Sequence, residues 1–209
     1  MTERSAPPVV RTRALSHSWS DRPLLHDLNL AIPPGVSLVR GDEHTGKTTL
    51  LRLLAGEIAP DAGEIRTLEY SPADSPDVYR QTVFRCDPLG DALDQTSPRA
   101  WFDDLPARFP AFNRDVLDAL IDGFDLAPHV DKPMYMLSAG SRRKAWLCAA
   151  FASGAALILI DQPFAALDGP SRRLLREVLT EMAEHPDRAC VLADYEAPEG
   201  VPLACVIDL

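Results

Sequence analysis

Gly41-Asp42-Glu43-His44-Thr45-Gly46-Lys47-Thr48 fits the pattern G-x-x-x-x-G-K-[ST]. Each residue type has a task at that spacing. The two glycines let the backbone close around a phosphate with its N–H groups turned inward. A helix opening just after Gly46 adds its positive end. Lys47 reaches the β- and γ-phosphates, and the Thr48 hydroxyl is offered to Mg²⁺. Thr49, next on that helix, is counted with the phosphate-binding residues. A second candidate is Asp161, which ends the apolar run Ala155 to Ile160. A carboxylate at the carboxyl end of a central strand is where open α/β sheets hold ligands. With a phosphate loop upstream, its task is to hold Mg²⁺, directly or through water. Without that loop it reads as a residue closing a strand before a Gln162-Pro163 turn.

These residues need particular elements to position them. Val36 to Arg40 is a short apolar strand leading into the loop, and Lys47 to Ala55 is a helix with an apolar face of Leu50, Leu51, Leu53 and Leu54. Upstream, Val9 to Trp19 and Leu24 to Ile32 read as strands, and Pro33-Pro34-Gly35 as a turn. Glu64 to Tyr70 and Gln81 to Cys86 read as strands separated by a Pro/Ser/Asp loop. The middle is strand-free. Ser97-Pro98 opens one helix, Asn113 caps another, and Ser141 to Ala152 is a third. Pro170 to Glu184 is an amphipathic helix, followed by strands at Ala189–Ala193 and Leu203–Ile207. Apolar strands alternating with helices predict a parallel sheet covered on both faces.

Composition bounds the function. The chain has 209 residues, with 21 Lys+Arg against 31 Asp+Glu, a formal net charge of −10. That balance disfavours nucleic acid as a partner, which wants a basic stripe. Hydrophobic residues at 46% exclude a disordered chain. Met1 to Pro8 reads as a tail without a signal-peptide core, and no run approaches the roughly 20 apolar residues of a spanning helix. Cys86, Cys148, Cys190 and Cys205 are scattered singly, with no Cys-x-x-Cys pair, so a zinc site is not expected and buried thiols in a cytosolic protein are.

Further motifs give the chain a family resemblance. Leu137-Ser138-Ala139-Gly140-Ser141 resembles the Leu-Ser-Gly-Gly-Gln signature of ATP-binding cassette (ABC) transporter nucleotide-binding subunits, and Ala166-Leu167-Asp168 resembles their D-loop. Gly56 and Pro60-Asp61-Ala62-Gly63 match the turn after the family's phosphate-loop helix. The resemblance implies an α/β fold, a P-loop NTPase core with an N-terminal antiparallel β region. It implies a single ATP-binding domain over 1–209, with a helical subdomain at 88–140 that includes the signature. It also implies ATP and Mg²⁺ as ligands, with Trp19 stacking on adenine. Ser138, Ala139, Gly140 and Ser141 then meet the γ-phosphate of a partner copy across a homo- or heterodimer. The further partner is a membrane-spanning transporter subunit at the inner face of the cell membrane. It is expected to dock between the Asp87 region and the Trp101–Phe112 segment. Length and signature look most like the small ATPase subunits of exporters, such as the heme-exporter type.

Four positions depart from the family. Where the family has Glu after the strand-ending Asp, this chain has Gln162. A carboxamide holds a water but accepts no proton near neutral pH. Tyr195 stands where the family has His, and Asp87 is the best match to a metal-contacting Gln. His44 replaces a usual Gly of the loop. With Lys47, Asp161 and Gln162, Tyr195 completes the catalytic set, and Thr48, Asp161 and Asp87 form the metal set. The expectation is an ATPase that turns over slowly, with a non-hydrolysing regulatory subunit as the alternative. Gln162 is open to two readings, natural degeneracy or an engineered Glu→Gln exchange. Tyr195 and Asp87 favour the first.

Overall fold

The computed structural model describes residues 7–19 and 22–209, so most of the expected N-terminal tail lies outside the described residues. Two sheets share the work. The first is antiparallel. Its centre is β1 (Val10–Trp19), which pairs with β2 (Arg22–Leu28), β3 (Ala31–Ile32) and β5 (Ala62–Thr67). The second is a five-stranded parallel sheet. It contains β4 (Gly35–Arg40), β6 (Val83–Cys86), β7 (Leu157–Asp161), β8 (Ala189–Asp194) and β9 (Cys205–Asp208), in the order β6-β7-β8-β4-β9.

The parallel strands are apolar on both faces, as strands covered on both sides must be. Leu157 and Leu159 face one core, together with Val39, Val191 and the leucines of α1 (Lys47–Leu54). Ile158 and Ile160 face the other, against Leu147 of α5 (Ala139–Ala152) and Leu175 and Leu179 of α6 (Gly169–Ala183). All of these are essentially solvent-free, each worth about 2 kcal/mol of burial. Among the described residues no strand falls between Cys86 and Leu157. That stretch holds α3 (Pro98–Arg108), α4 (Arg114–Gly123) and two short 3-10 turns. The caps fall at the expected residues: Ser97 accepts from the Ala100 N–H and Asn113 from the Val116 N–H. No helix among the described residues is long and apolar enough to cross a membrane.

The elements differ most from the sequence reading in three places. The single strand expected at 24–32 is broken after Leu28. There the Thr12 hydroxyl enters the ladder, donating to the Leu28 carbonyl at 2.8 Å and accepting from the Leu30 N–H at 2.9 Å. The strand expected to reach Tyr70 ends at Thr67, because Leu68 turns through φ 55°. The loop expected before Gln81 contains α2 (Pro76–Thr82). Tyr79 anchors this helix: its buried hydroxyl donates to the Leu54 carbonyl at 2.6 Å and accepts from Thr67 at 3.1 Å. Burial pushes that phenol up to about 12.

Candidate functional site

The phosphate loop leaves β4 at the carboxyl edge of the parallel sheet and runs into α1. Its glycines are required by the backbone. Gly46 has φ 102°, and a Cβ there would lie 3.0 Å from Leu24 Cγ. A Cβ on Gly41 would lie 2.6 Å from the Thr45 hydroxyl and 2.7 Å from the Leu209 carbonyl oxygen. His44 also takes the left-handed region, φ 63°, with its side chain exposed. A non-glycine residue in that conformation costs about 1–2 kcal/mol, so the departure at His44 falls where the turn favours glycine.

Lys47 is almost fully buried, and its ammonium is held on three sides. It donates to the Gly41 and Asp42 carbonyls at 2.6 Å each, and it lies over the Tyr195 ring, 4.6 Å from the centroid. The Thr45 hydroxyl also donates to the Asp42 carbonyl, at 3.0 Å, which tightens the loop. Thr48 donates to Asp161 Oδ2 at 2.5 Å, across 113 positions of sequence. Gln162 sits at φ 47°, with its N–H on the Ala193 carbonyl at 2.8 Å and its side chain exposed. Tyr195 leaves β8 and donates to Glu43 Oε1 at 3.2 Å. Lost hydration and then the Glu43 carboxylate raise its phenol above the usual value, so it stays a neutral donor.

These groups share one cleft of about 710 Å³, within the range of small-molecule sites. Its lining takes in Glu43, His44, Gly46, Lys47, Thr48, Thr49, Asp161, Gln162 and Tyr195. Trp19 is on its rim and 63% exposed, beside Arg22 and Leu24. Arg22 and Leu24 were not foreseen; the hairpin that pairs Trp19 with Arg22 is their only signal. Arg143 stands in the basic run Arg142-Arg143-Lys144, yet it is buried. It donates to the Asp161 and Gln162 carbonyls at 3.0 and 2.6 Å. The donor set suits Mg²⁺: a hydroxyl and a carboxylate oxygen are hard ligands, and phosphate oxygens complete such shells. No group of three or more His, Cys, Asp or Glu side chains that could hold a metal ion occurs among the described residues.

Two expected groups lie elsewhere. Asp87 is outside the cleft, because Arg85 captures its carboxylate at 2.9 Å. It lines a separate groove of about 430 Å³ together with Arg85, Trp101, Arg108 and Trp146. The structure therefore does not join Asp87 to Thr48 and Asp161 as a metal ligand. Ser138, Ala139, Gly140 and Ser141 also do not line the cleft of their own chain. They open α5, where the Ser138 hydroxyl accepts from the Ser141 N–H at 3.0 Å. A Cβ on Gly140 would lie 2.5 Å from the Ala166 carbonyl, so these residues pack directly on the Ala166–Asp168 turn. Lys144 ties the two together by donating to Asp168 at 2.8 Å.

Comparison with known proteins bears on the family and the fold. A family model described as ABC transporter matches residues 25–165. Similar relatives include the taurine import ATP-binding protein TauB of Pseudomonas entomophila strain L48. It is 34% identical over 187 residues, covering 87% of this chain and 70% of the relative. TauB of Yersinia pestis biovar Antiqua is 30% identical over 197 residues, covering 94% and 77%. These relatives are named for import, so they lend no support to the exporter subtype. In fold, the chain is similar to an ATP-binding subunit of an ABC transporter, with TM-score 0.79 and 19% identity over 88% of this chain and 79% of the other. It is also similar to an ATP-binding protein of Pyrococcus furiosus, with TM-score 0.76 and 19% identity over 96% of each. A dimeric ATP-binding cassette bound to ADP and Pi gives TM-score 0.72 and 18% identity, over 90% and 88%.

Proposed function

The chain belongs to the ABC transporter family as an ATP-binding subunit, and from that premise we propose that it binds ATP in the cleft around Lys47 and hydrolyses it slowly. One observation carries the reading. Lys47, held on loop carbonyls, and Thr48, bonded to Asp161, bring a cation and two hard oxygen donors to one cleft at the sheet's carboxyl edge. Lys47 would bind the terminal phosphates, and Thr48 and Asp161 would hold Mg²⁺. Bound there, the ion neutralises phosphate charge. Gln162 would orient a water but not take its proton, a deficit of about 10²–10⁴ in rate. Trp19 on the rim would stack on the base. Calorimetry tests the reading: Lys47→Ala should weaken Mg²⁺–ATP binding strongly, and equal affinity of the two proteins refutes it.

A second reading, a non-hydrolysing ATP-gated subunit, is favoured by Gln162 and Tyr195. Phosphate release by purified protein separates the two. We further assign the whole chain to one ATP-binding domain with a helical subdomain at 88–140. The signature at Ser138–Ser141 opens a helix away from the chain's own cleft, which suits a head-to-tail dimer in which it meets the other copy's nucleotide. The groove between Asp87 and Trp101 is the docking place for a membrane-spanning subunit, at the cytoplasmic face of the membrane. The direction we propose is import, supported by the import relatives at 30–34% identity.

A further inference from the structure

Besides Lys47, Arg22 brings a positive charge to the lining of the cleft. Arg22 opens β2, is exposed, and lies directly opposite Trp19 in the antiparallel register of the hairpin. Directly opposed residues of such a pair send their side chains to the same face, with Cβ atoms about 4.5–5.5 Å apart. Pro23 follows and confines the Arg22 backbone to an extended conformation. Leu24 is two residues on, so it shares the face of Arg22. It packs over the phosphate loop, where a Cβ on Gly46 would lie 3.0 Å from its Cγ. The strand thus leads outward from the loop, with Leu24 over Gly46 and Arg22 about 7 Å farther along, beside the indole. Trp19 and Arg22 stand side by side, so a base stacked on the indole, with its phosphates on the loop, meets Arg22 at its edge.

A guanidinium is a donor only, with no acceptor. At the 6-position of a purine, adenine presents an amino group, which is another donor, and guanine presents a carbonyl oxygen; N7 is an acceptor in both. The arginine fork therefore makes two bonds to O6 and N7 of guanine. It makes one to adenine, whose amino group it faces donor to donor. We propose that Arg22 reads the 6-position of the base, so that the cleft takes guanosine triphosphate as a ligand and binds it more tightly than ATP. The proposal rests on the reading of the cleft as a nucleotide site with Trp19 against the base. One additional hydrogen bond at an exposed position sets the preference at about fivefold in affinity. Other 6-oxo purine nucleotides fall in the same ligand class, since the 2-amino group of guanine takes no part.

The test measures Kd, with Mg²⁺, for non-hydrolysable analogues of ATP, GTP and ITP on the full chain, on Arg22→Ala and on Arg22→Gln. ITP carries the O6 and N7 of guanine without the 2-amino group. Unfolding midpoints confirm that each variant is folded, as expected for an exposed position near a hairpin turn. On the full chain, GTP and ITP should bind about fivefold tighter than ATP and within about twofold of each other. Arg22→Ala should bring all three within about twofold. Arg22→Gln should favour ATP, since a carboxamide pairs with the amino group and N7 of adenine. The proposal is overturned if ATP binds the full chain as tightly as GTP, or if ITP follows ATP. It is also overturned if Arg22→Ala weakens all three equally, because Arg22 then holds ribose or phosphate, or if the preference for GTP survives that exchange. Each of those outcomes leaves nucleotide binding itself intact. If no form of the protein binds any of the three, the reading of the cleft falls and the role of Arg22 falls with it.

Discussion

Gln162→Glu should raise the single-turnover rate of ATP hydrolysis by at least tenfold. The backbone of residue 162 is fixed independently of its side chain, by the Ala193 carbonyl at 2.8 Å and by the Arg143 guanidinium at 2.6 Å. The exchange is isosteric and the side chain is exposed in the cleft, so the fold has no reason to change. A new carboxylate beside Asp161 adds repulsion. Two carboxylates about 6 Å apart repel by about 0.7 kcal/mol in water and about 2.8 kcal/mol at the effective dielectric of about 20 usual near a protein surface. A general base contributes about 10²–10⁴ in rate, or roughly 2.7–5.5 kcal/mol. Over most of that range the base outweighs the repulsion. The assay mixes excess protein with radiolabelled ATP and Mg²⁺, quenches in acid, and counts phosphate released in the first turnover. Binding of ATP is measured in parallel. Equal rates with normal ATP binding would refute the reasoning, and the slow step would then lie with Tyr195 or with assembly of the dimer.

Two other substitutions probe how the site is held. Arg143→Met leaves the Asp161 and Gln162 carbonyls without their buried donor, at about 1–3 kcal/mol each. Part of that is recovered because the guanidinium no longer needs burial. Unfolding in urea should show a loss of about 2–4 kcal/mol, and a change below about 0.5 kcal/mol would mean that the bonds contribute nothing net. Asp168→Asn tests the joint between the signature helix and the Ala166–Asp168 turn. The Lys144 hydrogen bond, then Ser171, holds the Asp168 carboxyl well below the usual carboxylate range. A carboxyl lowered in the folded state contributes stability above its unfolded pKa near 4, and that stability is lost as pH falls through the lower folded value. Asparagine keeps the helix cap. The stability gap between protein and variant should therefore be constant from pH 6 to 7 and shrink below about pH 4, and a gap that widens on acidification contradicts the assignment.

Much of the site is legible in the sequence because its geometry is local. Gly41, Gly46, Lys47 and Thr48 must stand at fixed offsets for the loop to close, and φ 102° at Gly46 shows why no other residue type serves. Asp161 is legible from its place at the end of a run too apolar to face water. Ser97 and Asn113 announce their helices as caps that accept from the N–H three residues on, whereas the helix read from Ser141 starts at Ala139 behind the cap Ser138. What is not legible depends on contacts between distant segments. α2 is hidden by Pro76 and its polar neighbours, since its anchor is Tyr79 bonding to Leu54, 25 positions away. Arg143 looks like a surface residue because it sits among Arg142 and Lys144, while its partners are carbonyls, which sequence does not distinguish. Asp87 was placed by alignment to a motif, and its nearest charge, Arg85, decided otherwise. The Tyr195–Glu43 bond spans 152 positions and leaves no local trace.

The place of β4 in its sheet has a consequence for how the molecule comes into being. Both neighbours of that strand, β8 and β9, are synthesised long after it; Arg40 and Asp208, paired at the strand ends, are 168 positions apart. At ribosomal speeds of about 5–20 residues per second, the strand that carries the phosphate loop waits on the order of ten seconds for a hydrogen-bonding partner. During that interval Val36, Leu38 and Val39 form an unpaired apolar strand next to the apolar face of α1. Such long-range pairing is slow to form and exposed to aggregation while it waits. The nascent chain is therefore exposed to aggregation until residues beyond 188 emerge, and ATP affinity can appear only once β8 and β9 have joined β4.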